Sequence, residues 1–183
     1  MSSIDGCEKE VVYQRPGVSA NANPIDVIFR SATDSDAEQV ASVLLASRKA
    51  FVAFAPMAHA EDDVRAWIAN VLIPGGGASV AVDRASKEAV VGMMAVSRKD
   101  GVGWIDQLYL HPSVVGRGIG TRFIELAKES LGSRIRLYTF QENAGARRFY
   151  ERHGFRAIAF SDGSDNEEHC PDVLYGWAAP ASD

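Results

Sequence analysis

Apolar and polar positions follow two rhythms along this chain, and the switches between them mark its elements. Over 37–49, Ala37, Val40, Ala41, Leu44 and Leu45 recur at three- and four-residue intervals, which puts them on one face of a helix. Thr33, Asp34, Ser35 and Asp36 precede that face with side-chain oxygens suited to capping its first N–H groups. Val64, Trp67, Ile68 and Val71 repeat the spacing over 61–72, until Pro74-Gly75-Gly76-Gly77 stops it. Phe123, Ile124, Ala127 and Leu131 form a third helical face, and 143–152 a short fourth helix. Strand-like runs occupy 25–30, 78–82, 89–96, 104–110, 134–139, 155–160 and 172–177. The polar DRASKE between the second and third runs predicts an antiparallel hairpin. The sum is a mixed α/β (α+β) domain, a single and largely antiparallel sheet with helices on both faces.

Residues 1–24 show no periodicity and read as a flexible N-terminal arm; 25–178 read as one domain and 179–183 as a tail. A length of 183 residues suffices for one sizeable core. The net charge of -5 argues against nucleic-acid binding through a basic surface and suits neutral or cationic partners. Two cysteines, Cys7 and Cys170, make neither a disulfide framework nor a cysteine zinc site. His59, His111, His153 and His169 are scattered without metal-ligand spacing, so no metal is expected, and His111 before Pro112 reads as a turn residue. No signal peptide begins the sequence, and no apolar run approaches the roughly 20 residues that span a bilayer. A cytoplasmic protein without membrane attachment is the expectation.

The chemistry gathers around IDQLYLHPSVVGRGIGT, from Ile105 to Thr121, where a strand runs through His111-Pro112 into Gly116, Gly118 and Gly120 and then a helix. Such a junction leaves N–H groups unpaired at the positive end of a helix dipole, an anion cradle. It lacks the Gly-Lys-Ser/Thr of a Walker loop, and Gly120 comes one residue too early for G-x-G-x-x-G. Downstream, NAGARRFYERHGF supplies Asn143 as a helix cap, Ala146 for close packing, Phe149 as an apolar anchor, Tyr150 as a phenol and Gly154 as a stop. Read singly, Tyr150 is a half-buried core tyrosine.

In order and spacing the two blocks resemble the GNAT superfamily of N-acetyltransferases: its acetyl-CoA loop, then N-x-x-A-x-x-F-Y-x-x-x-G-F. The resemblance implies acetyl-CoA as co-substrate. Backbone N–H groups from Val115 through Gly116, Arg117, Gly118, Ile119 and Gly120 to Thr121 would hold its pyrophosphate, with Val115 standing where the family has Gln or Arg. Leu108, Tyr109 and Leu110 lie on the strand whose exposed backbone pairs with pantetheine in similar proteins; Asn143, Ala146 and Phe149 fall on the block that borders the CoA groove. Tyr150 matches the tyrosine that protonates the departing thiolate, a role suited to a phenol of ordinary pKa about 10.

The attacking amine arrives as ammonium and needs a base. Asp106 is the first candidate, two residues before Leu108 and on the same face by strand alternation. Glu167, Glu168 and Asp172 form a second group, in a stretch that resembles the acceptor-bordering segment of some bacterial members. The expected activity is direct acetyl transfer to a primary amine, of a small molecule or a protein, in a ternary complex. An acidic rim over 165–168 favours a cationic acceptor. Transfer of another acyl group, an oxygen acceptor, and a CoA-binding module without turnover stay open. Related folds often form homodimers.

Overall fold

The computed structural model describes residues 26–180 and, in backbone only, Val11–Val12. Ile25, Cys7, the remainder of the expected arm and residues 181–183 lie outside the described residues. Within the expected arm, Val11–Val12 (β1) pairs with the sheet edge, Val11 opposite Phe29 and Val12 opposite Ile28. The other elements, in chain order, are β2 Val27–Ser31, α1 Ala37–Phe51, α2 Glu61–Trp67, β3 Ala78–Asp83, β4 Ala89–Lys99 and β5 Val102–Leu110. After them come α3 Ile119–Leu131, β6 Arg134–Phe140, α4 Ala144–Arg152, β7 Arg156–Ser161 and β8 Asp172–Ala178. The second helix is shorter than the apolar spacing predicts, because Ile68–Leu72 continue it as a wider π turn rather than an α-helix.

The strands form one mixed sheet in the order β1-β2-β3-β4-β5-β6-β8-β7, with β5 and β6 the single parallel pair among the described residues. Helices cover both faces, as the sequence predicts. On one face α1 and the π turn pack Val40, Ala41, Leu44 and Ile68 against Val80, Val82, Val90 and Met93. On the other, α3 and α4 pack Phe123, Ile124, Ala127 and Tyr150 against Ala81, Met94, Ile135, Leu137 and Tyr175. Val80 and Val82 serve one cluster and Ala81 the other, the period of two expected for a strand buried on both faces. At the start of α1, Asp36 is tied to Arg30 at 2.6 and 2.8 Å and accepts from the Thr33 N–H at 2.8 Å, so the predicted capping oxygens serve one another and the helix entry.

Two irregularities of β5 position the site. First, β5 pairs with β6 only at Gly103 opposite Ile135 and Trp104 opposite Arg136. Beyond that point β6 follows β8 while β5 stays with β4 as far as Leu110, and the two parallel strands splay apart. Second, Ala95 faces Gln107 while Val96 faces Ile105, so Asp106 is an extra residue, a β-bulge.

Candidate functional site

The splay opens a cleft of about 560 Å3. Asp106, Leu108 and Tyr109 form its β5 wall, Tyr138, Thr139 and Phe140 its β6 wall, and Asn143, Ala146 and Tyr150 its α4 side. Because β6 has departed, the facing edge of β5 beyond Trp104 lacks a strand partner there, and its backbone groups can pair with an extended ligand.

At the end of β5 the chain turns through Pro112–Val114, where His111 Nδ1 accepts from the Ser113 N–H at 3.3 Å, the turn role predicted for this histidine. Gly116 and Gly118 then adopt φ of 82° and 87°, left-handed conformations that glycine takes without steric cost. Gly118 is the residue before α3, and the first intrahelical donor is Arg122, bonded to the Gly118 carbonyl at 3.1 Å. The N–H groups of Ile119, Gly120 and Thr121 are therefore open at the positive end of the helix, and no backbone partner among the described residues takes those of Val115, Gly116 and Gly118. Arg117 differs from expectation: its N–H donates to the Val114 carbonyl at 3.3 Å, closing the turn and leaving its exposed side chain as its remaining donor. Val115 is 49% exposed and offers only backbone polarity. Such a ring of backbone donors at a helix N-terminus suits a pyrophosphate.

Gly120 is needed for a different reason. A Cβ there would lie 3.1 Å from the Phe149 ring and 3.5 Å from Leu110, so its absence lets α4 seat against the start of α3. Leu110 thus lies between cradle and cleft and packs into the core instead of lining the cleft. A further tie joins the helices: His153 Nε2 lies 3.2 Å from Thr121 Oγ1 and its Nδ1 2.8 Å from the Phe149 carbonyl.

Asn143 caps α4 by accepting the Ala146 N–H at 3.0 Å, as its position predicts, so its carbonyl oxygen is engaged and its amide nitrogen faces no partner among the described residues. Tyr150 is 8% exposed and surrounded by Phe149, Phe155 and Tyr175, with ring centroids at 5.3, 5.8 and 6.3 Å. Burial, reinforced by the neighbouring Tyr109, pushes its phenol well above the ordinary value, so it keeps its proton across the neutral range. No described group hydrogen-bonds that hydroxyl.

The bulge changes the argument about Asp106. Ile105 and Leu108, three apart, both join the α3-side core, so strict alternation does not carry from Asp106 to Leu108. Asp106 is exposed at the cleft; partial desolvation raises its carboxyl, opposed by the Ser97 hydroxyl. The second group of acids divides. Glu168 is bound by Arg48 Nη1 at 3.0 Å, and Glu167 lies 3.0 Å from His59 Nε2. Asp172 borders the cleft with Oδ2 accepting from Asn166 at 3.0 Å, while its buried Oδ1 has no partner.

Sequence reasoning missed Arg48, Gln107 and His59. Arg48 looks like an ordinary base in the last turn of a helix, and only the fold brings it 120 residues along the chain to Glu168. Among the described residues no three His, Cys, Asp or Glu side chains gather to hold a metal ion, and no helix is long and apolar enough to cross a membrane.

Solved structures share this fold. The apo form of YjaB from Escherichia coli superposes with a TM-score of 0.69 at 22% identity, over 84% of this chain and 99% of that one. PaiA N-acetyltransferase from Thermoplasma acidophilum, solved with coenzyme A, gives 0.62 at 18% identity over 84% and 99%. Ard1 from Thermoplasma volcanium gives 0.65 at 16% identity over 85% and 99%. These establish the fold. Comparison with curated proteins by sequence gives no match. The model of the acetyltransferase (GNAT) family matches residues 44–155, and the chain belongs to that family.

Proposed function

We propose that the protein transfers the acetyl group of acetyl-CoA to a primary amine by direct attack in a ternary complex. The observation that carries the reading is the convergence of three features: the open edge of β5, the donor cradle in the turn that follows it, and the buried Tyr150 of α4, which lines the same cleft as β5. The cradle's N–H groups, from Val115 to Thr121 with Arg117 set apart, fit a pyrophosphate, and the open edge of β5 fits an extended amide-bearing arm. PaiA's structure with coenzyme A supports a CoA ligand for this fold.

In the transfer, the amine nitrogen forms a bond to the thioester carbon, the carbon–sulfur bond breaks, and the sulfur leaves with the bonding pair. Tyr150 gives its phenolic proton to that sulfur as negative charge develops on it, and burial keeps the phenol protonated through the neutral range until then. Asp106 takes a proton from the incoming ammonium, directly or through water; burial lifts its carboxyl toward a pKa more useful to a base. Asp172, with an unpartnered oxygen at the same cleft, is the second reading for that base. Exchange with solvent returns the amine's proton to Tyr150, so the balance is ammonium plus thioester to amide, thiol and one proton.

Thermal shift with acetyl-CoA and CoA tests the cradle, because a ligand that binds only the folded chain raises its melting temperature. Thiol release that depends on an amine, with the acetylated product identified by mass, tests turnover. Stabilisation without turnover across a broad amine and peptide panel would point to a CoA-binding module instead. Asp106→Asn and Asp172→Asn then identify the base by which of them depresses the rate above the carboxyl's pKa and removes the acidic limb of the pH profile.

A further inference from the structure

Arg48, Gln107, Tyr109 and Glu168 line both the cleft and a second cavity of about 540 Å3 on the α1 side of the sheet. This volume is that of a small-molecule site. Away from the shared residues its wall sets apolar Leu44 of α1, Val64 and Trp67 of α2, and Met57 from the connection between them beside His59, Asp63 and Glu167. Trp67 is 37% and Met57 41% exposed, two large apolar side chains that the protein leaves uncovered where the cavity can cover them with an occupant.

The polar wall has a sign. Asp63, Glu167 and Glu168 stand against Arg48, the single permanent cation among the lining residues, and His59. Arg48 is already committed, to Glu168 at 3.0 Å and to the Pro56 carbonyl at 3.2 Å. The Arg48–Glu168 pair sits where cavity and cleft meet, and beyond it His59 and Glu167 engage one another at 3.0 Å, which leaves Asp63 and the apolar side chains as the rest of the wall. An occupant complementary to it carries a cationic head and an uncharged, bulky body. A second ammonium would find Asp63 as its one further counter-charge, amid Leu44, Val64 and Trp67, and a carboxylate beside the head would meet Glu167 and Glu168, with Arg48 offering only its buried Nε.

We infer that this cavity is the acceptor site and that the acceptor is a primary monoamine with an aromatic or branched apolar body. This rests on the acetyltransferase reading. The ammonium lies at Gln107 and Glu168, where it reaches the cleft, and the body lies against Trp67, Met57 and Val64. Tightening where cavity and cleft meet comes from the ion pair, which holds the loop of Glu168 to α1.

The test compares 2-phenylethylamine, phenylalanine, spermidine and ethylamine as acceptors with saturating acetyl-CoA, followed by thiol release. The expected order places 2-phenylethylamine at least about tenfold ahead of each of the others in kcat/KM. Trp67→Ala should raise KM for 2-phenylethylamine about tenfold, with kcat and the KM for acetyl-CoA unchanged and ethylamine turnover unaffected. Met57→Ala provides the same comparison should the tryptophan variant fold poorly. Preference for spermidine, for phenylalanine or for a peptide N-terminus overturns the inference, as does an equal effect of both variants on ethylamine. If no amine is acetylated, the acetyltransferase reading fails. Calorimetric titration of 2-phenylethylamine into the CoA-saturated protein then decides the cavity separately: binding weakened by Trp67→Ala sustains it, and no binding overturns it.

Discussion

Replacing Tyr150 by phenylalanine separates chemistry from packing because of where the hydroxyl sits. The ring fills a space bounded by Phe149, Phe155 and Tyr175, and Phe keeps all of it. No described group bonds the hydroxyl, so its removal breaks no internal hydrogen bond, and stability should change by less than about 1 kcal/mol. Tyr150→Ala, by contrast, empties the site and should cost about 3 to 5 kcal/mol. If the phenol protonates the departing thiolate, its loss should slow transfer by about a hundredfold, equivalent to about 2.7 kcal/mol of barrier. The pH profile adds a second constraint. Burial raises the phenol, so its protonated form persists through neutral pH, and Tyr150→Phe should lower the whole rate profile without moving its acidic limb. Single-turnover rates under saturating acetyl-CoA, beside urea unfolding curves, supply both numbers. A variant of unchanged stability whose single-turnover rate stays within threefold of the parent would remove Tyr150 from the mechanism.

Two further predictions concern elements that hold the site. Arg30 is the main cause that holds the Asp36 carboxyl at about 2 against an ordinary 3.8, with the Thr33 bonds assisting and burial opposing. That depression corresponds to about 2 kcal/mol of stability, complete above pH about 4 and lost as pH falls through about 2. Asp36→Asn should be destabilised by about that amount at pH 7, and its urea midpoint should converge on the parent's at acid pH; a constant gap would show that the stabilisation is not electrostatic. At Gly118 a Cβ must adopt φ of 87°, so Gly118→Ala should cost about 1 to 2 kcal/mol and weaken CoA binding by calorimetry. Unchanged CoA affinity in that variant would separate the cradle from the ligand.

Periodicity and punctuation made much of this fold legible. The strand runs correspond to β2 through β8 within a few residues, and the cap at Asn143, the stop at Gly154 and the turn at His111 follow from local chemistry that needs no tertiary partner. The cradle was legible for the same reason, since glycines that open a helix act through backbone geometry. What stayed hidden depends on strand register or on long-range approach. The bulge at Asp106 exists only in the pairing of β5 with β4, and no side chain in Ile105-Asp106-Gln107 announces it. Glu168 reads as part of a solvated acidic loop until the fold delivers Arg48 to it. Nothing local marks His59, whose partner Glu167 is 108 residues away along the chain.

The bulge also explains how one strand serves three surfaces. Before it, Ile105 points to the α3-side core; after it, Leu108 does so again, and Tyr109 turns to the α1 side. Without the extra residue, Leu108 and Tyr109 would exchange faces, setting a phenol in the α3-side core and a leucine where cavity and cleft meet. A bulge also bends and twists its strand, and here the bend comes just past the last β6 pair, at Trp104. Splay, face assignment and the path into the glycine turn are therefore consequences of one insertion. The α1-side cavity and the cradle lie at opposite ends of the segment it redirects, Gln107 lining the one and His111 leading into the other, so the length of β5 between them fixes their separation.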